Sequence, residues 1–536
     1  MFCRQCEWTQ NGTACTQQGT CGKTPETAEA ADRLLYVLKG LAWTAANGRK
    51  KGKSVSEADR LIMRGLYATM TNVDFDPASL AALTEEAVAA RESIGVPSEA
   101  PPAARYNPPG GTANDEGPRP EGVSAEGEDP LAASLRETAI LGLKGMAAYL
   151  SHAEALGKHD DLFSRFAEEL LIRTLEPTPT VEDWLALTLR TGEKSLGVME
   201  MLDKGHADLF GVPVPSPVPL GHAAGPAVAL SGHDLKELSV LLDQASERGV
   251  NVYTHCEALP AHGYPGLRRP ALAGHWGTGW QNQARDLSEF PGPAVFTSNC
   301  IQKPRDPENA FTVGPVAWPG CVRLGRLHDG HTDYGPVLDR ALAMGGFAAD
   351  LKGPAVQTGF NWRNVLAQAD GILGLIKRGR IRRFILIGGC DGARASRSYF
   401  RRLAELAPAE AVILTLGCGK FRIFDLPLDD IEGVPRLIDL GQCNDAFSAV
   451  KIASALAEAL NTPLDMLPLS LAVSWHEQKA VSVLLSLLNL GVKNIRLGPT
   501  LPAFVHPDLM AVLSQRYGLK PTASPEDDIR AMMAGS

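Results

Sequence analysis

The chain has 536 residues, 44% of them hydrophobic and 21% charged, with aromatics at 6%. That is the composition of a folded globular protein, and it excludes disordered, collagen-like and coiled-coil classes. Its 52 Lys and Arg against 61 Asp and Glu leave a net charge of −9, a field that repels a phosphate backbone and argues against nucleic acid as a partner. No apolar run approaches the roughly 20 residues of a membrane helix. The N-terminus MFCRQCEWTQ carries no signal-type apolar stretch. A cytoplasmic protein without membrane association is therefore expected.

In chain order, the first feature is a crowd of cysteines. Cys3, Cys6, Cys15 and Cys21 fall within 21 residues, spaced C-x2-C-x8-C-x5-C, and no other cysteine appears before Cys256. In a reducing compartment such a cluster reads as metal ligands, with a 4Fe–4S cubane and a structural zinc both open. From Glu26 to about Gly205, apolar residues at three- and four-residue spacing predict helices arranged as two bundles. Residues 97–130 interrupt them with 8 Pro and 5 Gly, which predicts a flexible insert.

After the Pro-rich stretch 211–226 the period changes. Short runs such as PAVALS, VNVYT, PAVFTS, FILIGG, AVILTLG, RLIDLG, LSLAVSW and KNIRLG alternate with amphipathic helices. That alternation predicts doubly wound α/β domains with mainly parallel sheets. The remaining length exceeds one core. The expected division is a helical domain at 1–222 and α/β domains at 223–360 and 361–536.

Ligands of open α/β sheets gather beyond the carboxyl ends of the strands. The residues found there are His233, Glu257, Cys300, Cys390, Cys418, Cys443 and Glu477. Seven strands each deliver a Cys, His or Glu. Four thiols, one imidazole and two carboxylates exceed the needs of a single zinc and suggest a multi-iron centre with mixed sulfur and oxygen bridges. Such a centre needs an electron supply, which favours iron–sulfur for the N-terminal set.

Several of these residues also admit plainer roles. His233 precedes Asp234 at a helix start, where the carboxylate suits the helix dipole. Cys256 and Cys321 read as small buried hydrophobes. Because neighbours on an extended segment point to opposite sides, Cys256 is not expected to share a metal with Glu257. His476–Glu477 is no H-E-x-x-H site, since position 480 is Ala, and G-C-G-K at 417–420 lacks the Walker spacing.

These motifs resemble the hybrid-cluster proteins, or hydroxylamine reductases, along nearly the whole chain. The carriers are the N-terminal cysteine spacing, SGHDL (231–235), VYTHCEALPAHGYP (252–265), TSNCIQKP (297–304), GGCDGAR (388–394), LTLGCGKFR (414–422), GQCNDAFSA (441–449), SWHEQKA (474–480) and LGPTLPAF (497–504). The resemblance implies a 4Fe–4S cubane on Cys3, Cys6, Cys15 and Cys21. It further implies a hybrid 4Fe–2S–2O cluster on the seven residues above, with a persulfide at Cys390 and Lys479 beside it. Reduction of hydroxylamine to ammonia and water, or of nitric oxide to nitrous oxide, is then expected. An unidentified low-potential protein would donate the electrons, and Lys479, His255 and His476 are the candidate proton donors. Two positions depart from the family pattern: Cys256 stands where Gly is expected, and His476 where Tyr is usual. The rival readings are a nickel–iron carbon monoxide dehydrogenase and a nitric-oxide or redox sensor acting on partner proteins.

Overall fold

The computed structural model describes residues 1–108, 118–176, 179–390 and 392–535. Its first part is helical: α1 (Pro25–Lys50), α2 (Ser56–Ala68), α3 (Pro77–Ile94), the single turn α4 (Pro102–Arg105), α5 (Pro130–Ala155), α6 (Asp161–Arg173) and α7 (Val181–Phe210). Five of these begin at a side chain that accepts a hydrogen bond from a first-turn N–H: Thr24, Asp76, Asp129, Asp160 and Thr180. Such a cap satisfies donors that the helix itself leaves unpaired. The apolar faces of the helices merge in one core cluster that continues into the C-terminal sheet.

The insert is no free tether in its described parts; residues 109–117 lie outside them. Ala103 and Ala104 of α4 are buried against α1, so closely that a Cβ at Gly40 would lie 2.2 Å from the Ala103 carbonyl oxygen. Further on, Glu121 pairs with Lys39 at 2.9 Å and with Arg136 at 2.6 Å. Pro and Gly here shape a packed covering. A few buried apolar side chains, among them Ala100 and Tyr106, and half-buried ion pairs hold it, which composition alone does not reveal.

The strands are β1 (Ser216–Pro219), β2 (Ala227–Ser231), then, after the helix α8 (Leu235–Arg248), β3 (Asn251–His255), β4 (Leu272–His275), β5 (Ala294–Phe296), β6 (Ala310–Thr312), β7 (Val322–Arg323) and β8 (Ala355–Thr358). The last six are β9 (Arg383–Gly389), β10 (Ala411–Thr415), β11 (Leu437–Asp439), β12 (Leu469–Ser474), β13 (Ile495–Leu497) and β14 (Lys520–Pro521). Strands β1 and β8 form an antiparallel ribbon. The others make two six-stranded sheets, ordered β4-β3-β2-β5-β6-β7 and β11-β10-β9-β12-β13-β14, with every pairing parallel. Counted from its own first strand, each sheet runs 3-2-1-4-5-6. The interior strands β2 and β10 are buried throughout and apolar up to a final Ser231 or Thr415, as strands covered on both faces must be.

This order reverses direction between the first and fourth strands, the place where doubly wound sheets bind ligands. The helix Gln478–Asn489, which follows β12, packs directly on α5 and α7. A Cβ at Gly145 would lie 2.2 Å from Ser482 Oγ, and one at Gly192 would lie 2.1 Å from the Leu485 carbonyl oxygen. Those close approaches bring the helical part down over the carboxyl ends of the strands.

Candidate metal centre

Every one of the seven strand-end residues is buried. His233 follows β2 by two residues. Asp234 caps α8, accepting from the N–H groups of Lys236 and Glu237, so the expected cap and an imidazole in the pocket coexist. The ring of His233 is oriented by Ser298 Oγ, 3.0 Å from Nδ1, which leaves Nε2 facing Cys443 Sγ at 3.4 Å and Glu257 Oε2 at 3.7 Å. His233, Glu257 and Cys443 thus bring ligand atoms within 4.8 Å of one another. Gln442 ties the two sheets together here, its Nε2 donating to the carbonyls of His233 and Glu257 at 3.0 and 2.7 Å.

Glu477 has two jobs. Its Oε2 accepts from the Lys479 N–H at 2.9 Å, capping the helix Gln478–Asn489, while Oε1 lies 3.9 Å from Cys390 Sγ. Cys300 packs with Cys256 and Cys418 in one buried cluster, and the Glu477 carboxylate, after burial, raises the thiols of both Cys300 and Cys390. Burial pushes the thiols of Cys300 and Cys390 far up and Cys443 to about 12. The neighbouring Cys256 thiol, with burial, does the same to Cys418. Glu257 and Glu477 are likewise raised by burial. Burial holds His233 neutral, the form in which imidazole binds metal.

So many acidic groups in one dry pocket are costly as anions unless a concentrated positive charge compensates them. Among the described residues, Glu257 Oε1 finds no hydrogen-bond partner, and neither does Lys479 Nζ. This donor set fits a multi-iron group carrying its own positive charge. Lys420, by contrast, is committed to Asp439, 2.9 Å away.

Lys479 Nζ enters the pocket between the rings of Tyr67 and Tyr149, 5.8 and 5.7 Å from their centroids. His255 stands further back, with Nδ1 2.9 Å from Ser231 Oγ and Nε2 3.6 Å from Asp286 Oδ2. His476 faces the N-terminal loop. Its ring packs against both Trp8 and Trp280, at 5.2 and 4.2 Å, with Glu7 Oε2 3.8 Å from Nδ1.

The N-terminal cysteines gather on a loop closed by a two-way backbone pair, Cys3 N–H to the Cys15 carbonyl at 3.1 Å and Cys15 N–H to the Cys3 carbonyl at 2.8 Å. Burial lifts the Cys6 thiol far above the ordinary range, with smaller contributions from the thiols of Cys21, Cys3 and Cys15. Burial likewise lifts Cys3 to about 11. Four cysteines held on one short loop suit a four-sulfur metal site. The loop is pinned to the pocket: Glu7 N–H donates to the His476 carbonyl at 3.1 Å, and Gln478 Nε2 donates to the Gln5 carbonyl at 2.6 Å.

Two features depart from the expectations set by the sequence. Cys256 does not point away from the pocket: its sulfur lies 3.5 Å from that of Cys418. The alternation argument fails because β3 ends at His255, and Cys256, with φ +56°, opens a 3-10 turn. The roof of the site is the second. Tyr149 of α5 faces Cys443, and His152 stacks on His233 with ring centroids 6.2 Å apart. A Tyr and a His three residues apart on the buried face of an apolar helix are the only sequence signal for it.

Residues 1–530 match the Prismane/CO dehydrogenase family. Among curated proteins, the chain is 45% identical to the hydroxylamine reductase of Syntrophobacter fumaroxidans, covering 99% of this chain and 100% of that protein. It is equally 45% identical to the hydroxylamine reductase of Solidesulfovibrio magneticus, with the same coverage. Among solved structures, the Ni-free carbon monoxide dehydrogenase from Thermococcus sp. AM4 aligns at TM-score 0.56 and 17% identity, over 100% of this chain and 90% of that one. Carbon monoxide dehydrogenase IV from Carboxydothermus hydrogenoformans aligns at TM-score 0.55 and 17% identity, over 97% and 89%. At that identity the likeness speaks for the fold, a helical region followed by parallel-sheet α/β domains.

Proposed function

Because the chain belongs to the Prismane/CO dehydrogenase family and its curated relatives are hydroxylamine reductases, we propose that it is an iron–sulfur oxidoreductase that takes hydroxylamine, two electrons and two protons to ammonia and water. The observation that carries this reading is the meeting of His233 and Glu257 of the first sheet with Cys443 of the second, their ligand atoms within 4.8 Å of one another. His233, Glu257, Cys300, Cys390, Cys418, Cys443 and Glu477 would hold a hybrid 4Fe–2S–2O cluster, with a persulfide at Cys390. Cys3, Cys6, Cys15 and Cys21 would hold a 4Fe–4S cubane. When bound, these groups supply electrons and a Lewis-acidic iron that polarises the N–O bond.

The protein's own residues supply the remainder. Lys479 keeps a proton at Nζ inside a pocket closed to bulk water, where it can be given to the departing oxygen. Tyr67 and Tyr149 hold that ammonium in place through their ring faces. His255, bonded to Ser231 and close to Asp286, and His476, on the side of the N-terminal loop, serve as reserve donors behind it. The pinning of Glu7 to His476 supports electron entry from the N-terminal loop, where a low-potential protein would dock. Nitric oxide, another small N–O compound, is the proposed alternative substrate. We also propose domain borders at 222/223 and 360/361, since the first sheet falls within Ala227–Arg323 and the second within Arg383–Pro521.

Anaerobically purified protein, given hydroxylamine and a reduced viologen, should form one ammonia for every two viologen radicals oxidised. Absence of ammonia would refute the activity. Lys479→Gln should lower kcat by at least about 100-fold, the size of a lost general acid, with iron content unchanged.

A further inference from the structure

Cys256 is a sulfur that the seven-residue donor set leaves unused. It follows β3, the second strand of the first sheet, as Cys418 follows β10, the second strand of the other. Both lie in short 3-10 turns, and their sulfurs meet at 3.5 Å across the gap between the sheets. Cys300 packs in the same buried cluster as Cys256 and Cys418, so three sulfurs share one side of the pocket. The adjoining Glu257 Oε1 is fully buried and has no hydrogen-bond partner among the described residues. Cys256 itself is held at φ +56°, where a residue with a Cβ is strained and glycine is not. A space-filling role would not call for that strain, because Ala or Ser elsewhere in the turn could fill volume without it.

We propose that Cys256 is a further thiolate donor to the metal group of this pocket, making the side shared with Cys418 and Cys300 richer in sulfur. The assignment rests on the reading that the pocket holds a multi-iron group. Five thiols, one imidazole and two carboxylates then surround it, and the added soft donor favours iron bound to sulfur over iron bound to oxygen on that side.

The test uses whole protein purified anaerobically with 57Fe and compared by Mössbauer and EPR spectroscopy with Cys256→Gly and Cys256→Ala. Glycine suits the left-handed backbone, so Cys256→Gly is expected to fold at least as well as the parent. Both variants should lose the same one iron environment of the pocket, the N-terminal signal should stay as it was, and added methanethiol should restore the lost environment in Cys256→Gly. Pocket spectra identical to the parent in Cys256→Gly would overturn the assignment while leaving the cluster reading intact. A change in Cys256→Ala alone, without thiol rescue of Cys256→Gly, would show a packing effect and overturn it too. Parent protein lacking pocket iron would overturn the cluster reading and this assignment together.

Discussion

The two six-stranded sheets share one strand order yet arm the pocket differently. After its first, second and fourth strands the N-terminal sheet offers His233, Glu257 and Cys300, whereas the C-terminal sheet offers Cys390, Cys418 and Glu477 and adds Cys443 after its third. At the matching third position of the first sheet stands His275, whose Nδ1 lies 2.9 Å from Thr254 Oγ1 and whose ring stacks on Phe421. The repeated topology places donors on both sides of a gap. Residue choice then gives the C-terminal wall three thiols and one carboxylate and the N-terminal wall a mixture of imidazole, carboxylate and thiol, so the C-terminal wall is the softer.

Removing one donor from the softer wall is the severest way to break this comparison. Cys443→Ala takes away the sulfur that lies close to both His233 and Glu257. We expect loss of most pocket iron and a fall in turnover of at least about 100-fold, beyond the 10–100-fold typical of an outer-shell loss. Iron and acid-labile sulfide analysis should still find the N-terminal complement. Full iron in the variant would remove Cys443 from the centre.

Cys6→Ser asks whether the N-terminal loop serves the pocket. Turnover with a protein electron donor should drop about tenfold or more, while the pocket's EPR signals persist, because no pocket donor has changed. Unchanged turnover would mean that electrons enter elsewhere.

Glu477 is the proposed carboxylate donor of the softer wall. Glu477→Gln replaces a buried anionic oxygen with a neutral amide and weakens the cap on the Lys479 N–H. Activity should fall by about tenfold, with about 1 kcal/mol lost in stability from the cap. An active variant with an unaltered spectrum would leave Glu477 as a cap alone.

Much of this architecture is legible in the amino-acid sequence. Strands β2, β3, β5 and β9 to β13 are β-branched runs bounded by Gly, Pro or polar residues, and parallel sheets place their ligand residues next after such runs. The short strands β4, β6, β7 and β14, at or next to the sheet edges and with two to four residues each, carry too little pattern to be read. Cys256 defeats the pattern because strand alternation stops one residue before it. Tyr149 and His152 escape it because their role depends on which helix roofs the pocket, a tertiary fact set by the close contacts at Gly145 and Gly192. Composition predicts a flexible insert, whereas the order of its described parts comes from ion pairs such as Glu121 with Arg136.

The smallest expected effect separates the two sheets by acid sensitivity. His206 of α7 lies against Phe210 and Tyr264, both in the core of the first sheet, with ring centroids 6.3 and 5.8 Å away. Burial lowers its pKa from 6.5 to about 4. Beside the second sheet the buried charges are paired instead, with Arg496 Nε 2.6 Å from Asp528 Oδ1 and Tyr399 donating to Asp528 Oδ2 at 2.7 Å. Above pH 6.5 His206 is neutral in folded and unfolded chains alike, and its site contributes fully. As pH falls from 6.5 to about 4, the unfolded chain binds a proton that the folded one refuses, so stability declines, by at most about 3 kcal/mol. Hydrogen exchange at pH 5 should therefore loosen β2, β3 and the C-terminal turn of α7 relative to pH 7, with β9 and β12 less affected. His206→Phe keeps a ring in the core but cannot take up a proton. It should flatten the fall in Tm between pH 6.5 and 4.5, and an unchanged slope would place the acid-sensitive group somewhere other than this face of the first sheet.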